Sequence, residues 1–287
     1  ILDSKFIDLK FPLYFSRKIA ISKDSKNNLS RIIIFIGRLS VALGIIVSLI
    51  TVSTGLGSKK AIKSSLADFS GEITIKSNRS NSSYNSTVMD QSDVKLDQIK
   101  ALPEVSGIVP FVNTNGILRT DDSFAGIIFK GVGEDFDAER FKKFLVDGVV
   151  PQFNSKDYIN EVIISKKIAS DLHKSVNDSI VAIFSKADQK PIYRKFKIAG
   201  IYKTDIKMLD DLYMIGGIRH ARKIQDMKDD EIGGVEVYLK DVDQIDTVYP
   251  QIESLLGYKN FAEKITEKFP QIVDWINIFD TNIGLII

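Results

Sequence analysis

From Leu39 to Gly57 the chain runs 19 residues without a charged side chain, and upstream of Arg38 the segment Ile32-Ile33-Ile34-Phe35-Ile36-Gly37 prolongs the apolarity to 26 residues. A helix of about 20 apolar residues spans the hydrocarbon core of a bilayer. This stretch therefore decides whether the remainder folds as a free globule or as a domain hung on a membrane. Its end, Gly55-Leu56-Gly57-Ser58-Lys59-Lys60, has the residue types of a phosphate loop in the wrong spacing. A P-loop sets its glycines about five apart and follows its lysine with Ser or Thr. Here the glycines are two apart, and Lys60 is followed by Ala61. The run is read as a transmembrane helix, with Arg38 reaching to the cytoplasmic surface. Its rivals are a signal peptide, whose apolar region is about 7 to 15 residues near a true N-terminus, and a buried core helix. Gly55 and Gly57 are expected to form a flexible exit from the helix.

Eight basic residues precede Leu39 (Lys5, Lys10, Arg17, Lys18, Lys23, Lys26, Arg31, Arg38) against Asp3, Asp8 and Asp24. The positive-inside rule places that side in the cytoplasm. Residues 1–30 form an amphipathic cytoplasmic segment, residues 31–57 the first span, and residues 58–268 an extracytoplasmic domain. Residues 269–287, with Trp275 near their start and Ile283-Gly284-Leu285-Ile286-Ile287 at their end, are the start of a second span. The chain, which begins at Ile1, is read as a piece of a longer protein.

Within the outer domain a short helix is expected over Ala61–Phe69, and "EITIKS" alternates with the period of a strand. An Asn/Ser-rich loop, Asn78–Ser86, carries Asn-x-Ser/Thr triplets of the kind that occur by chance in such tracts. "DVKLDQIKALPEVSGIVPFV" has the grammar of a helix, a break at Pro103, and a strand. "NGILRT", "FAGIIFKGV", "EVIISKKIASDL", "DSIVAIFS", "YRKFKIAGIYKT" and "GVEVYLKD" supply further strands. Helices are expected at Ala138–Phe144, Lys166–Leu172, Gly217–Gln225 and Val242–Leu256. This irregular alternation with hairpin-like pairs predicts an α+β domain of mixed sheets rather than a doubly wound one.

Little in the sequence offers catalysis. The chain has no cysteine, which excludes disulfides, thiol chemistry and thiolate metal sites. Its histidines, His173 and His220, stand alone and are expected to be surface or hydrogen-bonded residues. A net charge of +2 from 39 basic and 37 acidic residues gives no global attraction for nucleic acid. Asp121-Asp122, Asp210-Asp211 and Asp229-Asp230-Glu231 are read as solvated turns, with Asp210 the most notable. Ser165 lacks a nucleophile elbow and reads as a helix N-cap. Met208 and Met214 read as packing. No catalytic, metal or cofactor site is expected, so the chain is not read as an enzyme.

The order of pieces is the stronger signal: a span ending in "TGL", then "GEITI", "LPEVSGIVPFV", "GIIFKGVGEDFDAERF", "EVIISKKIASDL", "DSIVAIF", "KFKIAGIYKTDIKMLDDLYMI", "GVEVYLKDVDQIDTV" and "WINIFDTN". Together they resemble ABC-transporter permeases of the lipoprotein-releasing LolC/LolE type, relatives of the MacB efflux permease. The resemblance implies a MacB-like periplasmic domain between two spans, in an inner-membrane protein without its own nucleotide site. It also implies a separate ABC ATPase subunit, a second permease copy or paralogue, and lipoprotein passed to a soluble periplasmic carrier. On that basis the substrate path is assigned to Ile50, Thr51, Ser53 and Thr54 of the first span. Carrier docking is assigned to the hairpin Ser185–Tyr193, with Lys186, Gln189, Pro191 and Tyr193. Small and hydroxyl residues also pack membrane helices, and the hairpin is short enough to be a plain turn. The other readings are a MacB-like efflux or force-transmitting permease, a membrane-anchored sensor, and, most weakly, a periplasmic hydrolase.

Overall fold

A computed structural model describes residues 11, 14, 15, 28–81, 84–185 and 190–272. They fall into two compact units divided between Ser58 and Lys59. Helix α1 (Asn28–Ser70) is a single element of 43 residues, about 64 Å long at 1.5 Å per residue. Its stretch Arg31–Ser70 is long and apolar enough to cross a membrane, and the most apolar part of it is unburied. The flexible exit expected at Gly55 and Gly57 is not there, because the helix passes through both. Glycine costs a helix only about 1 kcal/mol relative to alanine. Beyond the glycines, Ile62, Leu66 and Phe69 recur at helical spacing and pack into the core of the larger unit. The helix stops at Gly71, whose φ of +70° and N–H bond of 2.7 Å to the Ala67 carbonyl make a left-handed cap.

The larger unit carries β1 (Ile73–Ser77), β2 (Met89–Asp90), α2 (Leu96–Lys100), β3 (Val105–Arg119), β4 (Phe124–Val132) and α3 (Ala138–Phe141). There follow β5 (Leu145–Gly148), β6 (Glu161–Ser165), α4 (Lys166–Asp171), β7 (Ser179–Phe184), β8 (Ile192–Tyr202) and α5 (Lys207–Leu212). Last come β9 (Tyr213–Gly217), α6 (Ile218–Gln225), β10 (Glu231–Ile232), β11 (Gly234–Leu239), α7 (Ile245–Leu255), β12 (Asn260–Lys264) and α8 (Ile265–Lys268). The main sheet runs β12-β1-β11-β3-β4-β9-β6-β8-β5, with β7 bridging β3 and β8. Two pairs, β4/β9 and β6/β8, are parallel and the rest antiparallel. This is the α+β mixed-sheet architecture that the sequence predicts.

Strand β3 organises the domain. Its first half pairs β11 and its second half pairs β4 and β7. From β3 the pairing runs through β4, β9, β6, β8 and β7 back to β3, closing a ring of strands. Side chains of this ring, among them Leu118, Phe129, Ile164, Phe184, Phe196 and Met214, form one core with α4 and α6 against it. The other core gathers β1, β11 and β12 with the end of α1, α2, α3 and α7. Pro110 lies inside β3 without breaking it. Phe111 turns its carbonyl to β11, accepting from Gly233 N–H, so Pro110 faces the opposite side, where β4 has already ended.

Candidate functional site

Two strands of the larger unit are buried on both faces for most of their length and still carry a charge: Lys130 on β4 and Glu236 on β11. Both side chains are 2% exposed. A buried charge is tolerated only when paired and hydrogen-bonded, and these two meet at 2.7 Å (Nζ to Oε2). Lys130 Nζ also donates to the Phe69 carbonyl, at 3.0 Å, in the last turn of α1, and lies 5.3 Å from the Phe69 ring. A cation here suits the partial negative charge of a helix C-terminus. Tyr238 Oη donates to Glu236 Oε2 at 3.1 Å. On the other carboxylate oxygen, Lys268 Nζ of α8 approaches to 3.5 Å while donating to Thr74 Oγ1 at 3.2 Å.

One carboxylate thus joins the end of α1, two strands of the sheet and the last residue of α8. A second carboxylate, Glu72, repeats the theme. Its Oε2 accepts from Leu239 N–H and its backbone carbonyl from Ile265 N–H, each at 2.9 Å. Around these groups Phe69 packs against the rings of Phe141, Phe144, Tyr202 and Tyr213. Asp68 pairs with Lys143 and lies 3.9 Å from Arg140.

Burial works on Glu236, Glu72 and Lys268. It pushes Glu236 up, but Lys130, Lys268 and the Tyr238 hydroxyl outweigh it and hold the carboxyl below its usual range. Burial, partly offset by the Leu239 N–H, raises Glu72 to about 6. Burial also lowers Lys268 to about 8; Glu236 opposes that shift, and Lys130 and Lys76 add to it. Within this site Glu72 is held by the Leu239 N–H, and Lys268 by Thr74 and Glu236. What it can do is fix the end of α1 in one register against the sheet.

The residues singled out from sequence fall elsewhere. Ile50, Thr51, Ser53 and Thr54 are exposed on α1, with Thr51 Oγ1 donating to the Val47 carbonyl at 2.9 Å. Lys186 and Gln189 lie outside the described residues; Pro191 and Tyr193 are exposed at the start of β8. Ser165 is the N-cap of α4, accepting from Ile168 N–H at 3.0 Å and donating to the Asp210 carbonyl. Asp210 is no solvated turn. It is buried and accepts from Thr204 N–H and Oγ1 and from Asp205 N–H, which organises the turn before α5. His220 is also not the surface or hydrogen-bonded residue expected. It is 3% exposed between the rings of Tyr158 and Phe196, and neither ring nitrogen has a hydrogen-bond partner. Burial, with Arg194 nearby, lowers it to about 4 against a weaker opposing effect of the Ile159 backbone. Met214 is core and Met208 packs at the edge of the other core, apart from each other. Among the described residues no group of three His, Asp or Glu side chains could hold a metal.

The charge cluster was missed in the sequence. Its one signal is a lone Lys in "FAGIIFKGV" and a lone Glu in "GVEVYLKD". A strand buried on both faces has no wet side for either.

Residues 38–255 match the MacB-like periplasmic core domain family. Two similar curated proteins are the lipoprotein-releasing system transmembrane protein LolC of Xylella fastidiosa strains Temecula1 and 9a5c. They are 22% identical over 218 and 217 residues, 71% of this chain and 48% of each relative. The chain thus spans about half the length of the curated relatives it matches. Among solved structures, the extracellular domain of the noncanonical ABC-type transporter YknZ from Gram-positive bacteria is 16% identical, covering 67% of this chain and 99% of its own, with a TM-score of 0.46. The periplasmic region of MacB from Actinobacillus actinomycetemcomitans is 15% identical, covering 70% and 92%, also with a TM-score of 0.46. With more than half its length inside the family match, the chain belongs to the MacB-like periplasmic core domain family.

Proposed function

We propose that this chain is part of the permease subunit of an ABC transporter that extracts lipoproteins from the inner membrane for a periplasmic carrier. On this reading α1 crosses the bilayer, the larger unit lies outside, and two permeases pair over a separate ATPase subunit. The observation that carries it is the unbroken α1. It runs from its apolar stretch into the outer core and ends there on Lys130 rather than on a loose linker. A continuous helix passes on to the sheet a push or a twist that a flexible glycine exit would absorb. Closure driven by ATP on the inside therefore becomes movement of the outer domain. Lipoprotein as cargo rests on the names of the similar LolC proteins; the exposed hydroxyl face at Thr51, Ser53 and Thr54, next to Ile50, is then the substrate path. Lys186, Gln189, Pro191 and Tyr193 then form the docking hairpin for the carrier.

Depletion of the full-length protein tests the reading. Lipoproteins retained in the inner membrane, with an ABC ATPase co-purifying in mild detergent, support it. Normal sorting with loss of export of a specific compound would move the assignment to a MacB-like efflux permease, and absence of any ATPase partner would remove the transporter reading.

A further inference from the structure

Ile62 of α1, Ile206, Met208, Leu212 and Ile272 each pack one side against the larger core, and together they line a groove of about 630 Å3. That volume lies within the range of about 300–1,000 Å3 typical of small-ligand pockets. Its apolar lining is aliphatic and thioether, without the aromatic faces that a planar ligand would stack on, and Gln271 is the one uncharged polar residue beside it. Its rim carries both signs of charge: Lys207 is exposed there, with Asp205 and Asp211 beside it. Asp205 is also paired with Lys203.

Location on the helix identifies the occupant. Ile62 follows Gly57 by five residues, about 7.5 Å along the axis. If α1 spans the bilayer as proposed above, a reading on which this inference rests, the groove opens at the level of the outer headgroups. An apolar slot beside a membrane surface meets acyl chains before it meets any soluble ligand. Charges of opposite sign at its mouth, Lys207 and Asp211, match a headgroup with a phosphate and an amine.

We infer that the groove binds one acyl chain of a zwitterionic phospholipid from the outer leaflet, with the phosphate at Lys207 and the amine at Asp211. Such a lipid would be a fixed part of the joint between α1 and α5, distinct from the transported cargo.

The test replaces Leu212 with the photoreactive residue p-benzoylphenylalanine in the full-length protein, irradiates native membranes and identifies adducts by intact mass. Tyr258, 89% exposed on the loop before β12, is the control position. The expected result is a phospholipid adduct about tenfold or more above the control, lowered about tenfold by Ile206→Asp, which puts a charge into the slot. Lys207→Glu, an exposed change, lowers the adduct without touching the core and serves if Ile206→Asp does not fold. Adducts to lipid-modified proteins alone would overturn the phospholipid assignment while supporting the proposed cargo. Adducts within the chain itself, or none, would overturn the inference, and lipoprotein sorting measured in the same cells shows independently whether the transport reading stands.

Discussion

Glu236→Gln is the most informative single change, because it keeps the shape of the side chain, leaves the Lys130 ammonium buried without a counter-charge and takes from Lys268 one of the two carboxylates that act on it. Removing one partner of a buried ion pair costs about 3–5 kcal/mol. At about 2–4 °C per kcal/mol for a domain of this size, the melting temperature should fall by roughly 6–20 °C. The assay is thermal unfolding of the full-length protein in mild detergent at pH 7, with Lys130→Met and Lys268→Met in parallel. Lys130→Met deprives the Phe69 carbonyl of its donor but leaves Glu236 with Lys268, so its loss should be smaller. The triple variant Lys130→Met, Glu236→Leu, Lys268→Met removes every charge of the cluster, and replacing buried ionic groups by well-packed apolar ones is often neutral or stabilising. Stability should then largely recover while lipoprotein release does not. A Glu236→Gln protein melting within 2 °C or so of wild type would refute the energetic reasoning, and a triple variant with full release would refute the transmission role.

His220 makes stability depend on acid. Its folded value of about 4 lies below the ordinary 6.5, so its contribution is present above pH 6.5 and is lost as pH falls towards 4. That difference is worth about 3 kcal/mol, and His220→Phe should flatten the melting temperature across that window. Glu72 acts in the opposite sense: its folded value of about 6 lies above 4.5, so stability is fully present below pH 4.5 and is lost as pH rises through 6. Glu72→Gln should leave the protein about 2 kcal/mol more stable at pH 7, measured by denaturant midpoint, and an unchanged midpoint would count against a buried charge there. Gly57→Pro interrupts α1 at a cost of about 3 kcal/mol. It should leave the melting of the outer domain nearly unchanged while abolishing release, and a fully active variant would show that a continuous helix is not needed.

Local pattern carried much of the fold. The alternation in "EITIKS" and the apolar strands with their following helices are visible residue by residue, and Ser165 was legible as a cap because its partner is three residues on. What the sequence hid is long-range or short. The ring of strands closes through β4 and β9, parallel partners more than 80 residues apart, and no local pattern encodes that choice. Strand β9 follows α5 without a turn signal, and β12, "NFAEK", is short and largely polar. "VSGIVPFV" and "NGILR" read as two strands because proline and glycine punctuate them, yet they form the single strand β3. Helix α1 was cut at Gly55 and Gly57 because punctuation was weighed without the packing of Ile62, Leu66 and Phe69 beyond it.

The charge cluster is hidden for a further reason, and that reason bears on its role. Aliphatic packing alone could have held the end of α1 at similar stability, since a buried ion pair gains little over apolar groups of the same volume. Apolar contacts, however, are non-directional, and a helix seated only on them can turn or slide by a fraction of a residue at small cost. The Lys130 ammonium, held by the Glu236 carboxylate and the Phe69 carbonyl at once, permits one orientation of the helix end against β4 and β11. Glu236 extends the same constraint to Lys268 at the end of α8. On the transport reading proposed above, force arriving along α1 is directed into β4, β11 and α8 together instead of being spent on slippage. Stability alone does not call for that arrangement, whereas delivery of a movement does.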